Sequence, residues 1–294
     1  MNRRVFVFSS LLGGVLSLAA KSSKLPLAFS TLGCPDWSWD QILTFAQKSG
    51  FSGIELRGIG PDLDILSSPV FSKSQRKGTL RQLNDAGIQL FNLGSSAHLH
   101  AHDPKVRAEQ LDHAKRYLDL AMEMNCRFVR VFPDHFPVGY TREATLEQIK
   151  SGLTELSNHI HGSKTRVLLE THGEVVASPM LANIMQEVNR KEVGLIWDPF
   201  NMWIKTQEDV AAMYHNLKPW IRHVHLKDAR VSATGFTYVL CGQGDFALDK
   251  VVQILQKDKY SGYYSLEWEK KWHPTIAPPE EAFPHFVSYM QRFT

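Results

Sequence analysis

Short apolar runs alternate with longer stretches of helical period from residue 25 to the end of the chain. The runs are Leu27–Thr31, Gly53–Arg57, Ile88–Leu93, Arg127–Phe132, Val167–Glu170, Val193–Trp197, Ile221–Leu226 and Tyr263–Trp268. Several are apolar almost throughout, as strands buried on both faces are. Between them the spacing predicts helices over Asp36–Ser49, Ser72–Ala86, Pro104–Met124, Thr141–Ile160, Ser178–Val188, Gln207–Leu217, Ala247–Lys257 and Pro279–Arg292. Gly50, Gly87 and Gly162 stand where helices stop, and strands resume within a few residues. Such short connections belong to α/β units.

Eight strand–helix pairs fill about 270 residues with no linker or break in composition. No GxGxxG follows the first strand and no GxxxxGK[ST] occurs anywhere. Nucleotide-binding open sheets therefore lack their signature. A single (β/α)8 TIM barrel over residues 25–294 is the predicted fold.

The first twenty residues follow another rule. Arg3-Arg4-Val5-Phe6 precedes an uncharged run ending at Ala20, with small residues Ser17 and Ala19 near its end. That order of charged, apolar and small positions is a secretory signal. The RRxF start resembles a twin-arginine signal, which implies export of a folded protein to the periplasm. The run's 16 residues fall short of the roughly 20 that a spanning helix needs, so no stable membrane span is expected after processing.

Composition narrows the chemistry. The net charge is +3, and about +1 without Arg3 and Arg4, too little for a general nucleic-acid binder. Three cysteines, Cys34, Cys126 and Cys241, show no CxxC spacing against 13 histidines. A thiolate metal site is excluded, and any metal must be held by histidine and carboxylate. There is no GxSxG and no HExxH, so serine-hydrolase and zinc-peptidase readings fall away.

In a barrel of this kind chemistry sits at the carboxyl ends of the strands. Strand five ends Leu169-Glu170-Thr171-His172, strand six Trp197-Asp198-Pro199-Phe200-Asn201, strand seven His223-Val224-His225-Leu226-Lys227-Asp228, and strand eight Leu266-Glu267-Trp268-Glu269. A carboxylate beside a buried strand costs several kcal/mol unless it is paired or metal-bound. Glu170, Asp198, His225 and Glu267 make a hard O/N donor set. It suits a divalent cation: Mn²⁺ foremost, with Mg²⁺, Co²⁺ or Zn²⁺ as alternatives.

On GIELR at 53–57, LLETHG at 168–173, WDPFN at 197–201, HVHLKD at 223–228, GQGD at 242–245 and YSGYYSLEWE at 260–269, the chain resembles the xylose-isomerase-like barrel superfamily of sugar phosphate isomerases and epimerases. The resemblance covers about Leu27 to Phe293. It implies that the metal ligands are Glu170, Asp198, His225 and Glu267. It also implies that Glu170 and Glu267 double as acid and base, moving a proton through an enediolate that the metal stabilises. One departure is Asn201, where ketose epimerases usually carry a histidine. The same histidine is a zinc ligand in the DNA-repair endonuclease branch, and its loss argues against a nuclease. The implied activity is a sugar isomerase or epimerase acting on a ketose or related carbohydrate. A lyase or dehydratase of keto-sugars, keto-glycosides or inosose on the same site is the alternative, and a non-catalytic carbohydrate-binding barrel is a third. Relatives often form homo-oligomers, which the resemblance extends to this chain.

Arg57, His98, His172, Asn201 and Lys227 are read as substrate contacts, because each follows a strand end. Blander readings stand beside them. Arg57 has Glu55 two residues away as an ion-pair partner, His98 shares its loop with His100 and His102, and His172 suits support of a ligand. His223 is read as supporting His225, and Asp228 as structural. Trp37, Trp39, Trp203 and Trp272 offer either sugar-stacking faces or rim packing, and Cys34 is expected to be a packed thiol.

Overall fold

A computed structural model describes residues 24–294. The export signal read in residues 1–20 lies outside them. No helix among the described residues is long and apolar enough to cross a membrane.

Eight parallel strands close into a barrel: β1 (Leu27–Ser30), β2 (Gly53–Leu56), β3 (Gln89–His98), β4 (Phe128–Phe132), β5 (Arg166–Glu170), β6 (Val193–Trp197), β7 (Ile221–Leu226) and, last in the chain, β10 (Tyr264–Leu266). Each strand neighbours the next in sequence, and β10 returns to β1. Two further strands, β8 (Asp228–Ser232) and β9 (Gly235–Val239), form an antiparallel hairpin directly after β7. The helices are α1 (Trp39–Lys48), α2 (Arg76–Ala86), α3 (Pro104–Glu123), α4 (Arg142–His159), α5 (Ser178–Val188), α6 (Pro199–Thr206), α7 (Val210–Leu217), α8 (Leu248–Lys257) and α9 (Pro279–Gln291). The predicted (β/α)8 barrel is the observed fold.

Local chemistry sets the ends of these elements. Ser38 and Gln41 form a reciprocal capping box at α1, and Asp103 caps α3 ahead of Pro104, satisfying amide groups that a helix start leaves free. Gly87 ends α2 at φ 67°, a left-handed conformation that glycine adopts without penalty.

The pleat sorts the side chains. Val129, Val131, Val167, Leu169, Leu195, Trp197, Val224 and Leu226 are buried in the apolar core. Their period-two alternates include Arg130, Leu168, Glu170, Ile196, His223 and His225. Arg130 pairs with Leu168, and Glu170, Ile196 and His223 stand side by side in register, toward the barrel axis. Small residues make room for them. A Cβ on Gly94 would lie 2.8 Å from Arg57 Cδ and 3.2 Å from Arg130 Nη2, so two arginine side chains pass where a larger residue would stand.

Three elements differ from the expected pattern. β3 continues to His98 instead of stopping at Leu93. The first turns after β6 form the separate helix α6, started by Asp198 with Pro199 behind it. The segment after β7 is the β8–β9 hairpin. Asp228 anchors that hairpin: its carboxylate accepts from the Ala229, Gly242 and Gly244 amides at 2.9 Å each. This explains the GQGD turn and bears out Asp228 as structural.

Candidate metal centre

Strand β7 carries His223 and His225 on one inward face, and Lys227 follows its end one step higher. Glu170 ends β5, Asp198 follows β6, and Glu267 follows β10. One atom each of Glu170, Asp198, His225 and Glu267 lies within 4.8 Å of all the others, and all four residues are buried. The four residues read from separate strand ends therefore come together.

Each ligand-bearing residue has its second polar atom committed elsewhere. Asp198 Oδ1 accepts from the Asn201 amide at 2.9 Å and caps α6, which leaves Oδ2 facing the cluster. Thr171 Oγ1 accepts from the Asp198 amide at 2.8 Å and donates back to its carbonyl at 3.1 Å. Arg130 Nη1 donates to Glu170 Oε2 at 2.9 Å, leaving Oε1 at 3.6 Å from His225 Nδ1. Glu267 Oε2 accepts from Lys227 at 2.7 Å, and Oε1 lies 3.3 Å from His225 Nδ1. On the far side of its ring, His225 Nε2 bonds Glu55 Oε2 at 3.0 Å, and His223 Nε2 reaches the same oxygen at 2.8 Å. Such outer partners fix the orientation of a ligating imidazole.

This donor set fits a divalent cation. His225 Nδ1 is shielded from solvent without a hydrogen bond, and the equally shielded Asp198 Oδ2 has only the Lys227 ammonium, as an ion pair at 2.8 Å, in a barrel where buried polar atoms are normally hydrogen-bonded. Burial foremost, and then Glu267, push Asp198 up to about 7 against the pull of Lys227. Burial alone would lower His225, but the Glu267 and Glu55 carboxylates raise it well above the usual range. Burial would raise Glu267, yet His225 and Lys227 hold it well below. Protons and ammonium groups thus balance a carboxylate cluster that a cation would balance instead.

The remaining predicted residues take varied places. Lys227 is fully enclosed, 2.8 Å from Asp198 Oδ2, 2.7 Å from Glu267 Oε2 and 2.7 Å from Glu269 Oε1. Arg57 is buried with Nη1 free of hydrogen bonds. Burial and the neighbouring Arg130 lower its pKa to about 10. Its expected alternative, an ion pair with Glu55, is not formed: Glu55 turns inward to the two β7 histidines. Asn201 lies at the start of α6 with Nδ2 unpaired. His98 and His172 gather at Asp134, at 2.7 and 2.9 Å.

Of the tryptophans, Trp39 bonds Gln82 and Trp37 bonds Glu280, while Trp203 packs on Phe200 and Phe246. Rim packing accounts for these three, and Trp272 alone of the four is exposed. Cys34 is buried, and burial raises its thiol well above the usual range.

Sequence reasoning missed Arg130 and Asp134, and it read Glu269 only as a rim residue, where it holds Lys227. Arg130 announced itself as the one charge inside an otherwise apolar strand, FVRVF. Asp134 followed that strand as the carboxylates follow strands five to eight.

The sequence profile of the xylose isomerase-like TIM barrel family matches residues 43–292. The chain belongs to this family. No curated protein matches the sequence significantly. Among solved structures, the xylose isomerase-like barrel is similar to a zinc-bound IolI protein, with TM-score 0.76 and 20% identity over 91% of this chain and 96% of that one. It is similar to the Escherichia coli 3-keto-D-glucoside 4-epimerase YcjR, with TM-score 0.73 and 15% identity over 92% and 100%. It is similar also to the probable 3-DHS dehydratase AsbF of Bacillus anthracis, with TM-score 0.70 and 19% identity over 92% and 98%.

Proposed function

We propose that this xylose isomerase-like barrel is a divalent-metal-dependent sugar isomerase or epimerase, with Glu170, Asp198, His225 and Glu267 as ligands. The observation that carries the reading is the pairing of Glu170 and Glu267. Each offers one oxygen to the cluster, and each has the other held by a buried cation, Arg130 or Lys227. They come from β5 and from the end of β10, with β6 and β7 between, so they approach a substrate from two sides.

A bound cation supplies polarisation of the substrate's carbonyl and neighbouring hydroxyl oxygens. One glutamate takes the proton from the carbon beside the carbonyl. The other returns a proton to the opposite side, inverting the centre, or to the neighbouring carbon, exchanging ketose for aldose. Both glutamates are held below their usual pKa, the ionised state the base needs. The partner glutamate takes up a proton from solvent at the mouth before it returns one to carbon, which is why solvent deuterium should enter the product. In this reading Arg57, Asn201, His98 and His172 are the contacts for substrate hydroxyls, with Lys227 reaching substrate only from within the enclosed cluster. The metal is Mn²⁺ foremost in this reading; the zinc of the IolI structure supports a divalent ion in the same fold. The twin-arginine-like start makes export part of the proposal and favours an unphosphorylated carbohydrate.

One observation favours a second reading, loss of water. His172 stands two residues beyond Glu170, half-exposed, with Nδ1 on Asp134. Burial would lower its pKa, but the Asp134 carboxylate raises it, which suits an acid that protonates a departing hydroxyl.

The test is a panel of keto-sugars in D₂O with added Mn²⁺, read by NMR and mass. Deuterium entering at one carbon without loss of mass supports isomerisation, and loss of water supports the second reading. Glu170→Gln and Glu267→Gln should each slow exchange by roughly 10²–10⁴-fold. Undiminished exchange in both variants refutes their roles.

A further inference from the structure

A second group of converging donors lies on the same rim. β3 overruns the barrel and delivers His98, His100 follows it, and Asp134 comes just after β4. Asp134 has a left-handed backbone, φ 65°, which aspartate tolerates better than most residues. It is clamped from behind. Its carbonyl accepts from the Glu174 amide at 2.7 Å. Gly173, at φ 71°, passes so close that a Cβ would come within 2.2 Å of that carbonyl oxygen. The backbone is fixed, and the buried carboxylate is presented to the histidines.

Asp134 Oδ1 takes the hydrogen bond from His172 Nδ1 at 2.9 Å. Oδ2 faces His98 Nδ1 at 2.7 Å and His135 Nδ1 at 3.6 Å. His98 Nδ1 is out of line for a hydrogen bond, and His100 Nδ1 has no partner, although both atoms are shielded from solvent. One ligand atom each of His98, His100 and Asp134 lies within 4.8 Å of the other two. A hydrogen-bonded histidine network accounts for His172. It leaves the shielded Nδ1 atoms of His98 and His100 without a hydrogen bond, in a group whose ligand atoms all lie within 4.8 Å of one another.

We propose that His98, His100 and Asp134 form a second metal site, separate from the cluster at the barrel centre, and that its ion is Zn²⁺. Two imidazoles and one carboxylate with an open fourth position are a zinc donor set. The inner site, with three carboxylates and one imidazole, is harder. The Phe132 ring stacks on His98 with centroids 5.2 Å apart and has the Arg130 guanidinium 4.1 Å over it. No ligand is shared. His172, on the second oxygen of Asp134, orients the carboxylate as outer partners of metal ligands do. With 35% of the His98 side chain exposed, the open position is reachable by a small oxygen ligand at the mouth.

The test uses Zn²⁺ alone, with no substrate, on the purified full chain after removal of bound metal by a chelator. Metal is counted by mass spectrometry after gel filtration, and Co²⁺ replaces Zn²⁺ for visible absorption. The wild type should hold two equivalents per chain. His100→Gln and Asp134→Asn should each hold one, with the circular dichroism of the wild type. Asp198→Asn should lose the inner equivalent and keep the rim one, with the imidazole-rich Co²⁺ spectrum. One equivalent in the wild type, which needs no variant to fold, overturns the proposal. So does retention of both equivalents in His100→Gln. Because metal alone is read, failure here leaves the reading of the reaction standing, and a failed exchange assay leaves the rim site standing.

Discussion

Replacing Arg130 with methionine removes the guanidinium from a pair that has almost no access to water. The Arg130 and Glu170 side chains are each 2% exposed, with Nη1 and Oε2 2.9 Å apart. Methionine matches the length of the aliphatic stem, so the change isolates the charge and its hydrogen bonds. Lost with it are the bond from Nη2 to the Ser95 carbonyl at 3.2 Å and the contact over the Phe132 ring. Removing one partner of a buried pair costs about 3–5 kcal/mol, because the other charge stays behind uncompensated. For a chain of this size that lowers the unfolding midpoint by roughly 10 °C. The measurement is urea unfolding of Arg130→Met, Glu170→Gln and the double variant in the presence of a chelator. The cycle should return a coupling of about 1.5–3 kcal/mol. A loss below about 1 kcal/mol for Arg130→Met, the range of exposed pairs, would refute the argument that a dry ion pair braces Glu170.

Metal uptake should depend on pH in a direction fixed by the inner cluster. Asp198 is pushed up to about 7 in the metal-free protein and His225 is raised, so a cation must displace protons below those values. Affinity for Mn²⁺ should rise as pH increases toward 7 and beyond, with proton release visible by calorimetry in buffers of different ionisation enthalpy. The same raised Asp198 pKa makes its contribution to metal-free stability present below about 4 and lost as pH rises toward 7. An affinity flat between pH 5.5 and 8 contradicts this reading. For export, Arg3→Lys with Arg4→Lys should leave the full chain in the cytoplasmic fraction, and undiminished periplasmic recovery would sink the twin-arginine reading.

Much of this molecule was legible because barrel strands are short, apolar and punctuated. GIELR, RFVRVF and VGLIW could be little else between helical stretches ended by glycine, and a carboxylate or imidazole after each of four such runs marked the central site. What escaped did so for physical reasons. The β8–β9 hairpin reads RVSATGFTYV, a polar, exposed ribbon whose pairing comes from Asp228 gripping the GQGD turn, a contact no local pattern announces. Helix α6 starts at Pro199 directly behind its cap Asp198, one residue after β6 ends, so its Asp-Pro opening reads as a loop. Asp134 sits in a loop and depends on the close passage of Gly173, which is a tertiary fact. Glu55 looked like a partner for Arg57 because the two are near in sequence, but the strand alternation that points both inward also brings Glu55 beneath the β7 histidines.

Asp198 serves two structures with one carboxylate: Oδ1 starts α6 and Oδ2 completes the inner donor set. The space of tolerated residues at this position is therefore the overlap of two requirements. Asparagine satisfies the helix and forfeits the charge. Glutamate keeps the charge but carries it one carbon too far to cap in the same geometry. Serine caps and cannot ligate as an anion. His225, by contrast, has one duty toward the cluster and an outer partner, Glu55, that can drift with it. Position 198 has no such freedom, so across diverging copies of this barrel it should change later than position 225.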